Sequence, residues 1–339
     1  MRQKIVAAGL AATMALSMAA CGRNAGNGTN AGEDTITINI GHVEAKDRST
    51  HQALVESFKK TVEEKSNGTI SVQIYPNSVL GGDAELTESV AMGTLEAALP
   101  STSVLVSYSD DFGIMDMPYL FSSPENAFAA MDGDLGTYFN EKLEDVGLHS
   151  LGYSYNGLRS MTNNSHPIET PDDLKGLKMR VMENEVFIDF FETLGASATP
   201  MSFNELFTGL QQHTVDGEEN PPSLIYASKF QEVQEYLSLT EHVNNFLGFI
   251  MNQDFYNSLT QEQREIIDET AEEFVKAQRQ MELEDTDHYI ELLEEEGMQV
   301  NSLTAEQKAD FRQVLEPMYE KYRVQYGEEV FEMAEKYEE

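Results

Sequence analysis

Strand and helix signals alternate along this chain, and that alternation limits it to folds in which helices cover a mainly parallel sheet. Thr35-Ile36-Thr37-Ile38-Asn39-Ile40 alternates polar and apolar residues at the two-residue period of a strand. A helix is predicted over about 47–65, with Leu54, Val55, Phe58 and Val62 on one face and a stop at Ser66-Asn67-Gly68. Ile70, Val72 and Ile74 form a second strand; a helix over 83–92 and a short strand over 95–99 complete the series. The pattern then restarts. Strands are predicted at 148–155 and 177–182, followed by helices at 187–194, ended by Gly195, and 203–212. A short strand around Val215 is closed by Asp216-Gly217. A single long helix should occupy about 261–296, with two more at about 305–322 and 328–336.

In open α/β sheets, ligands bind beyond the carboxyl ends of the strands. Two arginines fall there, and arginine is scarce. Between Ala31 and Thr260, in a chain with 59 acidic residues, it appears only as Arg48, Arg159 and Arg180. Its planar five-donor fork suits bidentate capture of a carboxylate, and it stays charged when buried. Arg180 lies near the end of the strand at 177–182, and Arg159 follows the strand that ends near Tyr155. Arg48 reads as a surface arginine paired with a neighbouring acid.

The whole chain narrows the partners. Its 339 residues are enough for two domains and a sizeable core, and 40% hydrophobic with 24% charged residues is ordinary for a globular protein. A net charge of −37 excludes nucleic acid and a basic face on anionic lipid, but leaves an anionic small ligand held by local cations. The first residues read as a targeting segment: Arg2 and Lys4, then an apolar run, then Met18-Ala19-Ala20-Cys21. That run resembles a bacterial lipobox, so 1–20 is expected to be a lipoprotein signal peptide and Cys21 the lipidated residue. The segment 21–33 then serves as a flexible tether. No later stretch is apolar and long enough to span a bilayer, so the membrane is met by a lipid anchor only. The expected location is the outer face of the cytoplasmic membrane, as in a Gram-positive cell, and with its one cysteine lipidated the chain makes no disulfide.

No catalytic set stands out. The seven histidines form no H-E-x-x-H or other metal-ligand spacing, and there is no Gly-x-Ser-x-Gly elbow or phosphate loop. Asp132-Gly-Asp134 and Asp216-Gly217 read as turns and not calcium loops, and the acids at 282–285 and 294–296 as a solvated helix face. No metal and no cofactor are expected.

The most specific stretch is Asp173-Leu-Lys-Gly-Leu-Lys-Met-Arg-Val-Met-Glu-Asn184, followed by Leu194-Gly-Ala-Ser-Ala-Thr-Pro-Met201 and Ser202-Phe-Asn-Glu-Leu-Phe207. It continues through Leu210-Gln-Gln-His-Thr-Val-Asp-Gly-Glu-Glu-Asn-Pro221 and Phe230-Gln-Glu-Val-Gln-Glu-Tyr-Leu-Ser-Leu-Thr240. With Tyr75-Pro-Asn-Ser-Val-Leu-Gly81, Met117-Pro-Tyr-Leu-Phe121 and Asn156-Gly-Leu-Arg159, this ordered set resembles the solute-binding subunit of tripartite ATP-independent periplasmic (TRAP) transporters, the DctP family. The resemblance implies an α/β, two-lobed periplasmic-binding-protein-like fold of class II type, with hinge strands and a long lobe-spanning helix. Lobe I would comprise 34–155 plus about 243–285, and lobe II 156–242 plus about 286–339 with the C-terminal helices.

It also implies a site. Arg180 matches the arginine that takes the ligand carboxylate, Arg159 a second arginine supporting it, Asn220 a hydrogen-bonding asparagine and Phe203 an aromatic packed on the ligand body. Ser101 and Thr102 fall where the family places a specificity residue, and Glu44, in the loop after the first strand, is a further candidate. Glu205, Asp216 and Glu219 read as caps and turn formers. Phe207, His213 and Pro222 depart from the family's usual tyrosine, glycine and single proline. The implied function is a monomeric receptor, not an enzyme, that binds a small organic acid, a sugar acid such as a uronate or a C4-dicarboxylate, and hands it to the TRAP permease membrane subunits. A ligand-binding partner of a membrane sensor would use the same site; a surface sugar-acid enzyme would need a catalytic set that the chain does not display.

Overall fold

The computed structural model describes residues 35–338. Cys21, the targeting segment and the tether lie outside the described residues. Among those described, no helix is long and apolar enough to cross a membrane.

Strand β1 (Ile36–Gly41) opens the sheet, and its buried Ile38 and Ile40 face helix α1, residues 49–65. The middle of α1, Leu54–Lys59, is π-helical. Leu54, Phe58 and Val62 are fully buried there against the sheet, as the predicted apolar face requires. Strand β2 (Ile70–Tyr75), helix α2 (Asp83–Ala91) and the two-residue β3 (Ala97–Ala98) follow, and β2-β1-β3 run parallel. Two 3-10 segments (Thr102–Ser107 and Asp110–Asp116) lead to helices α3 (Pro124–Asp132) and α4 (Asp134–Glu144).

The restart of the pattern builds the other end. Strands β5 (Lys178–Val181), β6 (Ser197–Pro200) and β7 (Gly217–Asn220) form a second parallel set, ordered β7-β5-β6. Helices α5 (Glu185–Thr193), α6 (Phe203–Gln211) and α7 (Pro222–Ala227) connect them or follow them. Two long antiparallel strands join the ends: β4 (Leu148–Asn163), which continues eight residues past its predicted end, and β8 (Tyr236–Asn252). The full order is β2-β1-β3-β8-β4-β7-β5-β6, with β9 (Gln299–Ser302) beside β8. This is the two-lobed architecture, with the chain crossing between lobes on β4 and β8.

The crossing is irregular by construction. The β4–β8 register shifts at three places, one of them between Tyr155 and Gly157. Gly157 has φ +128°, and a Cβ there would stand 2.6 Å from Pro221 Cβ, so only glycine lets the two segments approach.

After the short α8 (Gln253–Ser258), helix α9 (Gln261–Glu295) is a single 35-residue element, about 52 Å long at 1.5 Å per residue. A Thr260–Gln263 capping box starts it. Ile267 and Phe274 near its beginning enter the core of β1 and β2, and Leu293 near its end enters the core of Leu206 and Leu210, so it touches both lobes. The expected helix at 305–322 is two: α10 (Ala305–Val314) ends at Leu315, and Pro317 sits in the first turn of α11 (Glu316–Tyr326), where its missing N–H costs nothing. Helix α12 (Glu328–Glu335) completes the chain. Tyr319, Tyr322 and Phe331 join a large shared core with Phe112, Phe139 and Phe190.

Candidate functional site

A narrow cavity of about 20 Å³ lies between the lobes, at the carboxyl ends of the parallel strands. Arg180 enters it from β5, Arg159 from β4 and Asn220 from the last position of β7. Ser101 comes from just beyond β3, where it bridges to Leu247, and Glu44 from the loop after β1. Phe203, half-buried at the start of α6, closes one wall with Met182 and Leu224. Six of the seven ligand residues expected from the sequence are thus brought together. Thr102 is not: it is fully buried and its hydroxyl donates to the Phe246 carbonyl at 3.2 Å.

The arginines differ in what surrounds them. Arg159 is locked into Glu219: Nη2 donates to Glu219 Oε1 at 2.8 Å, and Nε and Nη2 reach Glu219 Oε2 and its carbonyl. Burial works against both charges, but the Arg159 guanidinium holds the Glu219 carboxyl below its ordinary value, and Glu219 holds Arg159 above its own. His242 Nε2 lies 3.2 Å from Glu219 Oε2, completing a buried row. Glu219 is therefore not the turn former that its Asp-Gly-Glu-Glu setting suggests. It is a strand residue, because β7 begins at Gly217 and runs through the acids instead of ending at Asp216-Gly217. Asp216 accepts from the N–H of Lys178, the first residue of β5, at 2.8 Å, so it ties strands together and caps no helix there.

Arg180 has no such partner. It is 2% exposed, forms no ion pair among the described residues, and makes one hydrogen bond, Nε to the Met201 carbonyl at 2.9 Å. Its Nη1 is buried with no partner. Burial, with the nearby Arg159 charge acting against the attraction of Glu219, lowers it to about 10. A buried cation with an unpaired fork has donors that a carboxylate could satisfy.

Asp83 faces it. This first residue of α2, read from the sequence only as a helix start, lines the same cavity. Burial and the charge of Glu44 push its carboxyl from 3.8 up to about 7, against the opposing pull of the Ser101 N–H, Arg180 and Arg159. Asp83 Oδ1 and Glu44 Oε1 are both buried without a hydrogen-bond partner. An acid following Gly81-Gly82 in the loop between β2 and α2 was the available signal. Asn156 also lines the cavity and was passed over.

Arg48 is a correction. It is not a surface arginine but fully buried, bonded to Glu44 at 2.6 Å, to Glu282 at 3.0 Å and to both oxygens of Asn156 at 2.9 Å. Glu282 likewise leaves the solvated acidic run, being 1% exposed. In the Asp132-Gly-Asp134 turn, Asp132 pairs with Arg279 and Asp134 with Lys336.

The family model DctP, bacterial extracellular solute-binding protein family 7, matches residues 40–325. The chain belongs to this family. As a DctP-family member it is a binding protein and not an enzyme. It is 33% identical over 301 residues to the C4-dicarboxylate-binding protein DctB of Bacillus subtilis, covering 88% of this chain and 85% of that one. It superimposes on the sugar acid binding protein DctPAm of Advenella mimigardefordensis in complex with galactonate, with TM-score 0.86 and 34% identity over 90% of this chain and 99% of that one. It matches equally a TRAP periplasmic solute-binding protein of a Polaromonas species bound to D-erythronate, with TM-score 0.85 and 35% identity over 88% and 98%.

Proposed function

We propose that this DctP protein is the extracytoplasmic receptor of a TRAP transporter and that its ligand is a polyhydroxylated monocarboxylate, a sugar acid of the aldonate or uronate type. One observation carries this reading. The cavity holds a single unpaired cation, Arg180, together with two carboxylates, Asp83 and Glu44, that each have an oxygen without a partner. Arg159 brings no further charge, because Glu219 neutralises it. One carboxylate on the ligand satisfies Arg180; its hydroxyls can donate to the partnerless oxygens of Asp83 and Glu44 and to Ser101. A second ligand carboxylate carries no donor for those oxygens. Galactonate and D-erythronate, carried by two of the matched structures, have this one-acid, many-hydroxyl pattern. The C4-dicarboxylates named for DctB do not.

Capture proceeds by closure. The anion bridges residues from both lobes, Glu44, Asp83 and Ser101 on one side and Arg180, Phe203 and Asn220 on the other, and stabilises the closed arrangement. Residues 34–155 with about 243–285, and 156–242 with about 286–339, are the moving bodies, hinged on β4 and β8. Cys21 carries the lipid anchor, and Cys21→Ser should release the protein from cells into the medium.

The deciding experiment is a thermal-shift and calorimetric screen with galactonate, D-erythronate, galacturonate and succinate. At a ligand concentration 100 times Kd, binding stabilises by about 2.7 kcal/mol, which a melting curve resolves. Galactonate, D-erythronate or galacturonate should raise the midpoint well above succinate. A larger shift with succinate would reverse the assignment.

A further inference from the structure

We propose that Arg48, Ser223 and Glu282 form a closure latch, a set of buried bonds that holds the two lobes together without touching the ligand. All five N–H donors of Arg48 have acceptors: Nε on Glu44, Nη1 on Glu282 and on Ser223 Oγ, and Nη2 on the Asn156 carbonyl and side chain. Ser223 in turn donates to Glu282 Oε1, and Ser49 donates to Glu282 Oε2. These partners come from opposite ends of the sheet. Glu44, Arg48 and Ser49 follow β1, whereas Ser223 belongs to α7, which follows β7. Asn156 sits beside the Gly157 register shift where β4 crosses, and Glu282 lies on α9, the helix that enters both cores.

Such a cluster is bistable. Two carboxylates and one guanidinium are tolerable at under 2% exposure only while every partner is in place. Separating the lobes moves Ser223 away, admits water and hydrates the charges, so the cluster favours two arrangements and little between them. It is joined to ligand capture through Glu44 and Asn156, which belong to the latch and also line the ligand cavity. Gly157 allows the packing: a Cβ there would come within 3.3 Å of Glu282 Oε1.

Ser223→Ala tests this cleanly, because it removes the bonds to α7 and leaves Arg48 paired with Glu44, Glu282 and Asn156. With galactonate as probe, the dissociation rate should rise roughly tenfold, the scale of one hydrogen bond to a charged group, while the association rate stays within twofold. The ligand-free melting temperature should stay within about 2 °C of wild type, which a merely structural role would not allow. An unchanged dissociation rate, or a loss confined to ligand-free stability, overturns the latch. The latch goes beyond the sugar-acid reading, and a second measurement separates the two. Spin labels at Met92→Cys and Lys229→Cys in full-length protein carrying Cys21→Ser report the inter-lobe distance without ligand. Ser223→Ala should lower the closed fraction several-fold, and equal closed fractions overturn the latch even if galactonate binds neither protein.

Discussion

Removing Arg159 should destabilise the empty protein far more than removing Arg180 does, whereas removing Arg180 should weaken ligand binding. Both arginines are buried in one cavity, 2% and 1% exposed. The net lowering of Arg180 to about 10, with burial its largest cause, corresponds to roughly 3 kcal/mol against its cation, at 1.36 kcal/mol per pH unit. Arg180→Ala removes that penalty and loses the packing of the side-chain stem, a term of similar size and opposite sign. The ligand-free stability should therefore change by less than about 1 kcal/mol, in either direction. Arg159→Ala instead strands Glu219, which is fully buried and bonded to Arg159 through both carboxylate oxygens. Breaking a buried pair from one side costs about 3–5 kcal/mol. In binding, loss of the buried Arg180–carboxylate pair costs roughly 2–5 kcal/mol, or about 30- to 5,000-fold in Kd. Differential scanning calorimetry of the two ligand-free variants, followed by titration calorimetry with the acid that best stabilises wild type, measures both. An Arg180→Ala protein that melts as low as Arg159→Ala, or that keeps wild-type affinity, would refute the division between an unpaired receptor arginine and a paired supporting one.

Arg180→Lys should bind at least tenfold more weakly than wild type in the same titration, because an ammonium cannot offer two parallel donors while also reaching the Met201 carbonyl. Asp83→Asn tests the raised acid. Between 3.8 and about 7 the folded chain holds a proton that the unfolded chain has lost, so stability falls as pH rises through that window. Asp83→Asn should therefore gain on wild type from pH 4 to 7 and hold a constant lead above it, read from urea unfolding at several pH values without ligand; a lead that shrinks with rising pH contradicts the assignment. Gly157→Ala should lower stability by about 1–3 kcal/mol in the same assay, because the new Cβ is placed at φ +128° against Pro221. A neutral result would mean that the crossing strands relax more easily than their register shifts imply.

The elements that were legible in the sequence are those whose pattern is local. β1, β2, α1 and α9 carry clean periodicity with a recognisable stop or cap, and the structure places them within a few residues of expectation. β7 and β8 were not legible. β7 buries Glu218, Glu219 and Asn220, polar residues that no alternation rule assigns to the middle of a sheet, and β8 is buried almost throughout, so it shows no two-residue period. The site divides the same way. Arg180 and Asn220 lie in the stretch that begins at Asp173 and Arg159 in the motif Asn156-Gly-Leu-Arg159, whereas Asp83 stands alone, and its significance arises only when the fold carries it opposite Arg180.

Arg48 shows the limit most clearly. Its i−4 neighbour Glu44 was visible, and an acid at that spacing on an acidic chain is normally a solvated pair. What makes it different are Ser223 and Glu282, 175 and 234 residues away. The scarcity of arginine nevertheless pointed to something general. All three arginines of the acid-rich stretch are buried, and their roles follow from how many carboxylates each one holds. Arg48 holds two and ties elements together; Arg159 holds one, in a rigid pair that is neutral overall. Arg180 holds none, and so it alone gains more from an arriving carboxylate than it would lose by giving one up.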